Sequence, residues 1–222
     1  MAEKAVFSWS GGKDSALALH ELLGAGDLEV SALMTVLTEG YDRISFHGVR
    51  RALLEVQAAS IGLPIEKVAI PERASMQEYE SRMREALERH REAGVTAVAY
   101  GDLHLEDVRD YRERLLRGLG LRAVFPVWKR DTREFAHTLI EQGFEAVVTC
   151  VDSEALDRKF VGRIYDERFL SELPPGVDPC GENGEFHTFA YDGPLFEKEV
   201  RFKVGDVALR ENRFYFCDLI PE

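Results

Sequence analysis

The sequence predicts an α/β protein: a doubly wound, five-stranded parallel sheet over residues 1–126 and a smaller C-terminal α+β domain over residues 127–222. Three observations lead there. Five short apolar runs alternate with amphipathic helical stretches, the pattern of a parallel sheet with right-handed crossovers. The second run, residues 30–37, is apolar nearly throughout, as a strand buried on both faces must be. Beyond Trp128 the pattern changes, and after Pro174-Pro175-Gly176 it is β-rich and irregular.

The first strand is the run at 5–7, and the helix after it carries Ala16, Leu19 and Leu23 on one face until Gly24 or Gly26 ends it. Residues 38–46, with Gly40 and Asp42, read as a loop at the C-terminal end of the second strand, the edge where ligands collect in open α/β sheets. A helix over 47–61 follows from the spacing of Val49, Leu53 and Val56, with Gly62 and Pro64 beyond it. Residues 65–70 form the third strand. Ser75 and Glu78 make a capping box for a helix whose Met76, Tyr79, Met83 and Leu87 share a core-filling face, closed by Gly94. The fourth strand, 95–100, ends in Gly101-Asp102. A helix with Val108, Tyr111, Leu115 and Leu119 leads to the fifth, 121–125, which Pro126 stops. Asp131 with Glu134 caps another helix, ended by Gly143, and residues 146–151 give one more buried strand. After Pro174-Pro175-Gly176, residues 200–209 and 214–220 read as strands.

Chemistry-bearing residues concentrate in two stretches. Ser8-Trp9-Ser10-Gly11-Gly12-Lys13-Asp14-Ser15 lies at the first strand-to-helix junction. Adjacent glycines let the backbone turn its N–H groups inward around an anion, and the following helix points its positive end at the same place. Lys13 adds a charge, Ser10 and Ser15 add hydroxyl donors, and the expected anion is a phosphate. The spacing is not that of a Walker A loop. The second stretch, residues 180–189, packs Glu182, Asn183, Glu185, His187 and Cys180 around two glycines. Its glutamates suit holding magnesium, orienting an amine or taking its proton. Asn183-Gly184 is equally a strong hairpin-turn signal. Asp102, at a strand's C-terminal end, reads as a magnesium or substrate ligand and equally as a helix N-cap. His47 and Arg50 stand at a helix start; an arginine there suits an anion or carboxylate, or is simply a surface residue.

Composition excludes several classes. With 45% hydrophobic and 31% charged residues the chain is ordinary globular protein, and no run approaches the ~18 apolar residues of a membrane span. Met1 to Lys4 leads directly into the first strand, so no leader and a cytoplasmic location are expected. Three widely spaced cysteines without a C-x-x-C pair argue against a disulfide framework and a structural zinc. A net charge of −12 disfavours broad nucleic-acid binding. The arginines between positions 112 and 117, with Glu113 among them, read as a solvated helix face.

Ser10 to Ser15, SGGKDS, resembles the PP-loop of the ATP pyrophosphatases, which cut ATP between its α- and β-phosphates. Together with Gly101-Asp102 and the segment CGENGEFHTFAYDGPLF from Cys180 to Phe196, it resembles the diphthine-ammonia ligase family of these enzymes, over essentially the whole chain. The resemblance implies an adenine nucleotide α-hydrolase-like, Rossmann-like ATP-binding domain and a substrate-binding second domain. It implies ATP and Mg2+ as cofactors, and a small or protein-borne carboxylate and ammonia as the other reactants. The carboxylate attacks the α-phosphorus, pyrophosphate leaves, and ammonia displaces AMP. Residue by residue it implies that Ser10, Gly11, Gly12, Lys13, Asp14 and Ser15 hold the phosphates. Asp14 helps place magnesium, and the backbone near Met34 and Gly101 borders the adenine. Lys13, Asp14, Glu182 and Glu185 are then the catalytic candidates, with His47, Arg50, Asp102, Asn183 and His187 on the substrate side. Asn183-Gly184 stands where members acting on translation elongation factor usually carry Gly-Gly. The loop DRISFHGVR, Asp42 to Arg50, looks like a bacterial-type branch, for which a substrate other than diphthine is expected. The alternatives are a PP-loop enzyme that adenylates a tRNA base carbonyl and a non-catalytic ATP-binding sensor. A homodimer is the expected assembly.

Overall fold

A computed structural model describes residues 2–40, 43–44 and 48–222. The predicted alternation is present through the first part of the chain: β1 (Glu3–Ser8), α1 (Lys13–Ala25), β2 (Leu28–Thr38), α2 (Arg51–Ile61), β3 (Ile65–Ile70), α3 (Met76–Glu92), β4 (Ala97–Tyr100), α4 (Glu106–Arg117) and β5 (Arg122–Val124). The five strands form one parallel sheet in the order β3-β2-β1-β4-β5. Side chains on β1 show why it is doubly wound. Ala5 and Phe7 point into a core shared with Leu17 and Leu19 of α1 and Leu53 and Leu54 of α2. Val6, between them, joins Met83 and Leu87 of α3 and Leu115 and Leu116 of α4 on the other face.

Local signals end the helices where the sequence places them. Gly26 and Gly62 take left-handed conformations beyond α1 and α2. The Ser75–Glu78 capping box is formed in both directions. Three expected core positions are instead exposed: Leu23, Val56 and Met76. Leu22 takes the inward position in α1, and in α2 the buried neighbour of Val56 is Gln57. That polar residue is buried because it serves as a clamp, described below.

Beyond β5 come α5 (Thr132–Glu141), β6 (Glu145–Asp152), α6 (Glu167–Ser171), β7 (Phe186–Asp192), β8 (Phe202–Arg210) and β9 (Phe214–Pro221). These strands build a separate antiparallel sheet, β7-β6-β9-β8. Its apolar residues, among them Val147 and Phe189, are continuous with the α1–α2 side of the first core. Gln57 ties the two parts together: its amide nitrogen donates to the carbonyls of Gly11 (2.9 Å) and Ala190 (2.5 Å), and its oxygen accepts from Trp9 Nε1 (3.1 Å). Ala190 N–H returns a bond to the Gly11 carbonyl at 2.9 Å. Strand β7 is therefore fastened directly onto the turn that follows β1. Among the described residues, no helix is long and apolar enough to cross a membrane.

Candidate active site

A cleft of about 510 Å³ opens at the C-terminal ends of β1 and β4, the two neighbours between which the strand order reverses. Its floor is the turn between β1 and α1. Gly11 has φ +78°, and a Cβ there would lie 2.8 Å from Leu54 Cδ2 and 2.9 Å from Gln57 Oε1, so only glycine fits. The Ser10 hydroxyl accepts from Gly12 N–H (3.2 Å) and contacts the Ser15 hydroxyl (2.8 Å). No side chain of its own turn caps α1; Lys13 N–H donates to the Thr188 hydroxyl of β7 (3.2 Å) and Ala16 N–H to the Gly12 carbonyl (3.0 Å), which leaves the N–H groups of Asp14 and Ser15 with no acceptor inside the helix. Gly101 closes the other side. A Cβ on it would stand 3.0 Å from Ser15 Cα, so the end of β4 is pressed against the first turn of α1.

Lys13 occupies the centre. A cation at a helix N-terminus is electrostatically misplaced, and this one is also buried. It is held by both Asp14 carboxylate oxygens (3.0 Å each), by the Cys180 carbonyl (2.5 Å), and by the rings of Tyr165 and Phe186, 5.2 and 5.3 Å away. Burial pushes its pKa down, but Asp14, with Cys180 and Glu182 nearby, outweighs it, so the net shift is upward and the ammonium stays charged.

The second chemical stretch forms the opposite wall. The segment 178–185 is a loop before β7, not a hairpin between paired strands, so the turn reading of Asn183-Gly184 is corrected in that sense. Two carboxylates shape it from within. Asp178 accepts from Cys180 N–H (2.8 Å), Glu182 N–H (3.3 Å) and the Thr132 hydroxyl (2.7 Å). Glu185 accepts from the backbone N–H of Asp178 (3.0 Å) and Asn183 (2.9 Å) and from the Asn183 amide (2.9 Å). Glu182, by contrast, lines the cleft with Asn183 and His187. Burial, reinforced by Asp14 and other carboxylates and opposed by Lys13, pushes the Glu182 carboxyl up to about 7.

Asp102 also lines the cleft, and it is not a helix cap: α4 starts four residues later, at Glu106, with Leu105 in the cap position. Its partner is Arg112, which the sequence suggested was a solvated residue. The guanidinium lies over the Tyr100 ring, 4.1 Å from its centroid, and reaches the cleft wall. Burial raises the Asp102 carboxyl and Arg112 opposes that rise.

Ser10, Lys13, Asp14, Ser15, Gly101, Asp102, Glu182, Asn183 and His187 are thus brought together, as the sequence leads one to expect, whereas three candidates are not. Met34 packs between the first sheet and α3–α4, and its carbonyl is taken by Trp9 N–H at 2.8 Å. Arg50 pairs with Asp218 of β9 (2.6 Å), which also binds Arg43 (2.8 Å), so it fastens the segment before α2 to the second sheet. Glu185 is buried beneath its loop. His47 lies outside the described residues. All three cysteines are free and buried; burial pushes the Cys150 thiol up to about 12 and the Cys217 thiol up to about 11, and it pushes Cys180 upward too. Glu185→Ala should act through the loop. It would leave the N–H groups of Asp178 and Asn183 and the Asn183 amide without their acceptor; these groups are only part-buried, so the cost is about 1 kcal/mol per lost bond at most, lowering the denaturation midpoint together with activity while leaving the pH profile of residual activity unmoved. A shifted profile with unchanged stability would contradict this.

Residues 3–123 match the diphthamide synthase N-terminal domain and residues 131–218 the diphthamide synthase C-terminal domain. A diphthine–ammonia ligase of Homo sapiens is 25% identical over 225 residues, covering 90% of this chain and 83% of that protein. One from Danio rerio is 28% identical over 213 residues, 86% of this chain and 83% of that protein. The Schizosaccharomyces pombe protein of the same name is 26% identical over 212 residues, 86% of this chain but 34% of its own length, so this chain spans about a third of that relative. Among solved structures, the U34-tRNA thiolase NcsA of Methanococcus maripaludis superposes with a TM-score of 0.38 at 19% identity, over 63% of this chain and 56% of that one. The Gly-Gly turn before α1 and the loop that carries Glu182 fall in two matched domains of a single family, and the chain belongs to the diphthamide synthase family.

Proposed function

We propose that the protein is an ATP-dependent amide ligase that adenylates a carboxylate, releases pyrophosphate and transfers ammonia to the acyl group. The observation that carries this reading is Lys13: its ammonium bonds both Asp14, on the phosphate-cradle side, and the Cys180 carbonyl, on the glutamate-loop side, so both halves of the chemistry open onto one cleft. The first-turn N–H groups of α1, with Ser10 and Ser15, bind the phosphates of ATP. Lys13 stabilises the charge that grows on the bridging oxygen as the bond from the α-phosphorus to pyrophosphate breaks and the bond to the carboxylate oxygen forms. Glu182, titrating near 7, takes the proton released as nitrogen bonds to the acyl carbon and AMP departs. All these groups come from one chain.

Asp14 offers the hard oxygen donor that magnesium prefers. Among the described residues, no three His, Cys, Asp or Glu side chains stand close enough to hold a metal unaided. That suits an ion that arrives with the nucleotide and takes most of its ligands from phosphates and water. Magnesium would supply neutralisation of phosphate charge; the chain's own part is the Asp14 carboxylate, which must then loosen from Lys13. The relatives' name makes diphthine the first carboxylate to test, with other acids to follow.

The test supplies ATP, magnesium, ammonium and a panel of carboxylates, diphthine-bearing protein included, and measures the products. AMP, pyrophosphate and amide in equal amounts support the reading. ADP with phosphate, or modification of an RNA in place of a carboxylate, would overturn it.

A further inference from the structure

We propose that Arg112 is a nucleotide-binding residue of this cleft, holding the phosphates of ATP beyond the α-phosphate; this rests on the reading of the cleft as an ATP site. The argument begins with donors. The Lys13 ammonium has three N–H groups, and three oxygens already take them, two on Asp14 and one on Cys180. It can meet a phosphate only by giving up one of these. Arg112 has five N–H donors in a planar fork, and among the described residues Asp102 is its one hydrogen-bond partner.

The surroundings make that fork rigid without using it up. One face lies on the Tyr100 ring, and that ring is itself stacked on Phe125 at 5.5 Å with an interplanar angle of 23°. Asp102 fixes one edge. A guanidinium held by a ring and one carboxylate loses little freedom on binding, and its geometry suits two phosphate oxygens at once.

Position selects the phosphates over the carboxylate substrate. Arg112 reaches the cleft at the end of β4, where Gly101 is packed against Ser15 in the first turn of α1. It therefore stands beside the helix terminus that cradles the anion, whereas Glu182 and Asn183 belong to the opposite wall. Charge points the same way. Asp14, Asp102 and Glu182 line the cleft against Lys13 and Arg112, so a polyphosphate needs both cations.

The test is calorimetric titration of ATP and AMP, each with magnesium, into wild type and Arg112→Gln. Removing a charge-assisted contact should weaken ATP about 10- to 100-fold and AMP by less than about twofold. Because the variant leaves Asp102 without its cation, the same comparison is made between Asp102→Asn and Asp102→Asn/Arg112→Gln, which carry no unpaired carboxylate at that position; thermal melting checks their folding. An ATP-selective loss in both comparisons supports the assignment. Equal loss for ATP and AMP, or no loss, overturns it. Lys13→Met separates the two levels of the argument. If wild type binds ATP and Lys13→Met does not, a silent Arg112→Gln removes only the role of Arg112. If wild type does not bind ATP, the reading of the cleft falls with it.

Discussion

Lys13→Met is expected to lower pyrophosphate release by about 10²–10³-fold, the usual cost of losing one preorganised donor to a developing oxyanion. Methionine is close in volume, but it leaves the partly exposed Asp14 carboxylate and the Cys180 carbonyl without their cation, so some stability is lost. Thermal melting beside the rate separates the two effects: the variant should still fold cooperatively below its lowered melting temperature while turnover collapses. Lys13→Arg should not rescue. The slot between Tyr165 and Phe186 fits a slender ammonium, and the broader fork cannot keep the Cys180 carbonyl and both Asp14 oxygens in the same geometry. Pyrophosphate release at the wild-type rate from Lys13→Met would remove the central residue of the mechanism.

Glu182→Gln should cost about 10²–10⁴-fold in amide formation, the range for a general base, and should change two pH dependences. In wild type the carboxyl must be ionised to accept a proton, so the rate should climb with pH through about 7 and level off above it. In the variant that limb should vanish. Stability moves in the opposite sense. Because the folded carboxyl holds its proton to higher pH than the unfolded one, its contribution is fully present below the ordinary carboxylate range and is lost as pH rises through about 7. Glutamine has no charge to bury, so the variant should gain stability over wild type at pH 8 and lose that advantage at pH 4. Denaturant titrations at the two pH values, beside the rate profile, check both halves. A variant that keeps the rate limb at 7 would show that another group is the base.

The first sheet was legible because its signals are local. Each strand is an apolar run, each helix has a face, and the Ser75–Glu78 box and the glycines at 26 and 62 act within a turn of their own position. The turn at Ser10–Ser15 was legible for the same reason, since a Gly-Gly turn before a helix is built from consecutive residues. Pattern reading failed where a polar side chain works across the fold. Gln57 looks like a surface position on α2, yet it is buried between Gly11 and Ala190. Glu182 and Glu185 are chemically alike and three residues apart. One faces the cleft and the other is consumed by the N–H groups of its own loop.

By itself, then, the sequence determined the alternating α/β order, the Gly-Gly turn before α1 and the concentration of carboxylates after Cys180. All follow from backbone conformations and apolar periodicities that depend on near neighbours. Only the tertiary structure decided which charged groups meet. It set Arg112 against Asp102 at the cleft and Arg50 against Asp218 away from it, and it closed the Cys180 carbonyl over Lys13. A hydrophobic pattern records which face of an element is buried. The partner of a buried or half-buried charge depends on how separate elements pack, and residues 13 and 180, or 50 and 218, carry no mark of each other until the two sheets are joined.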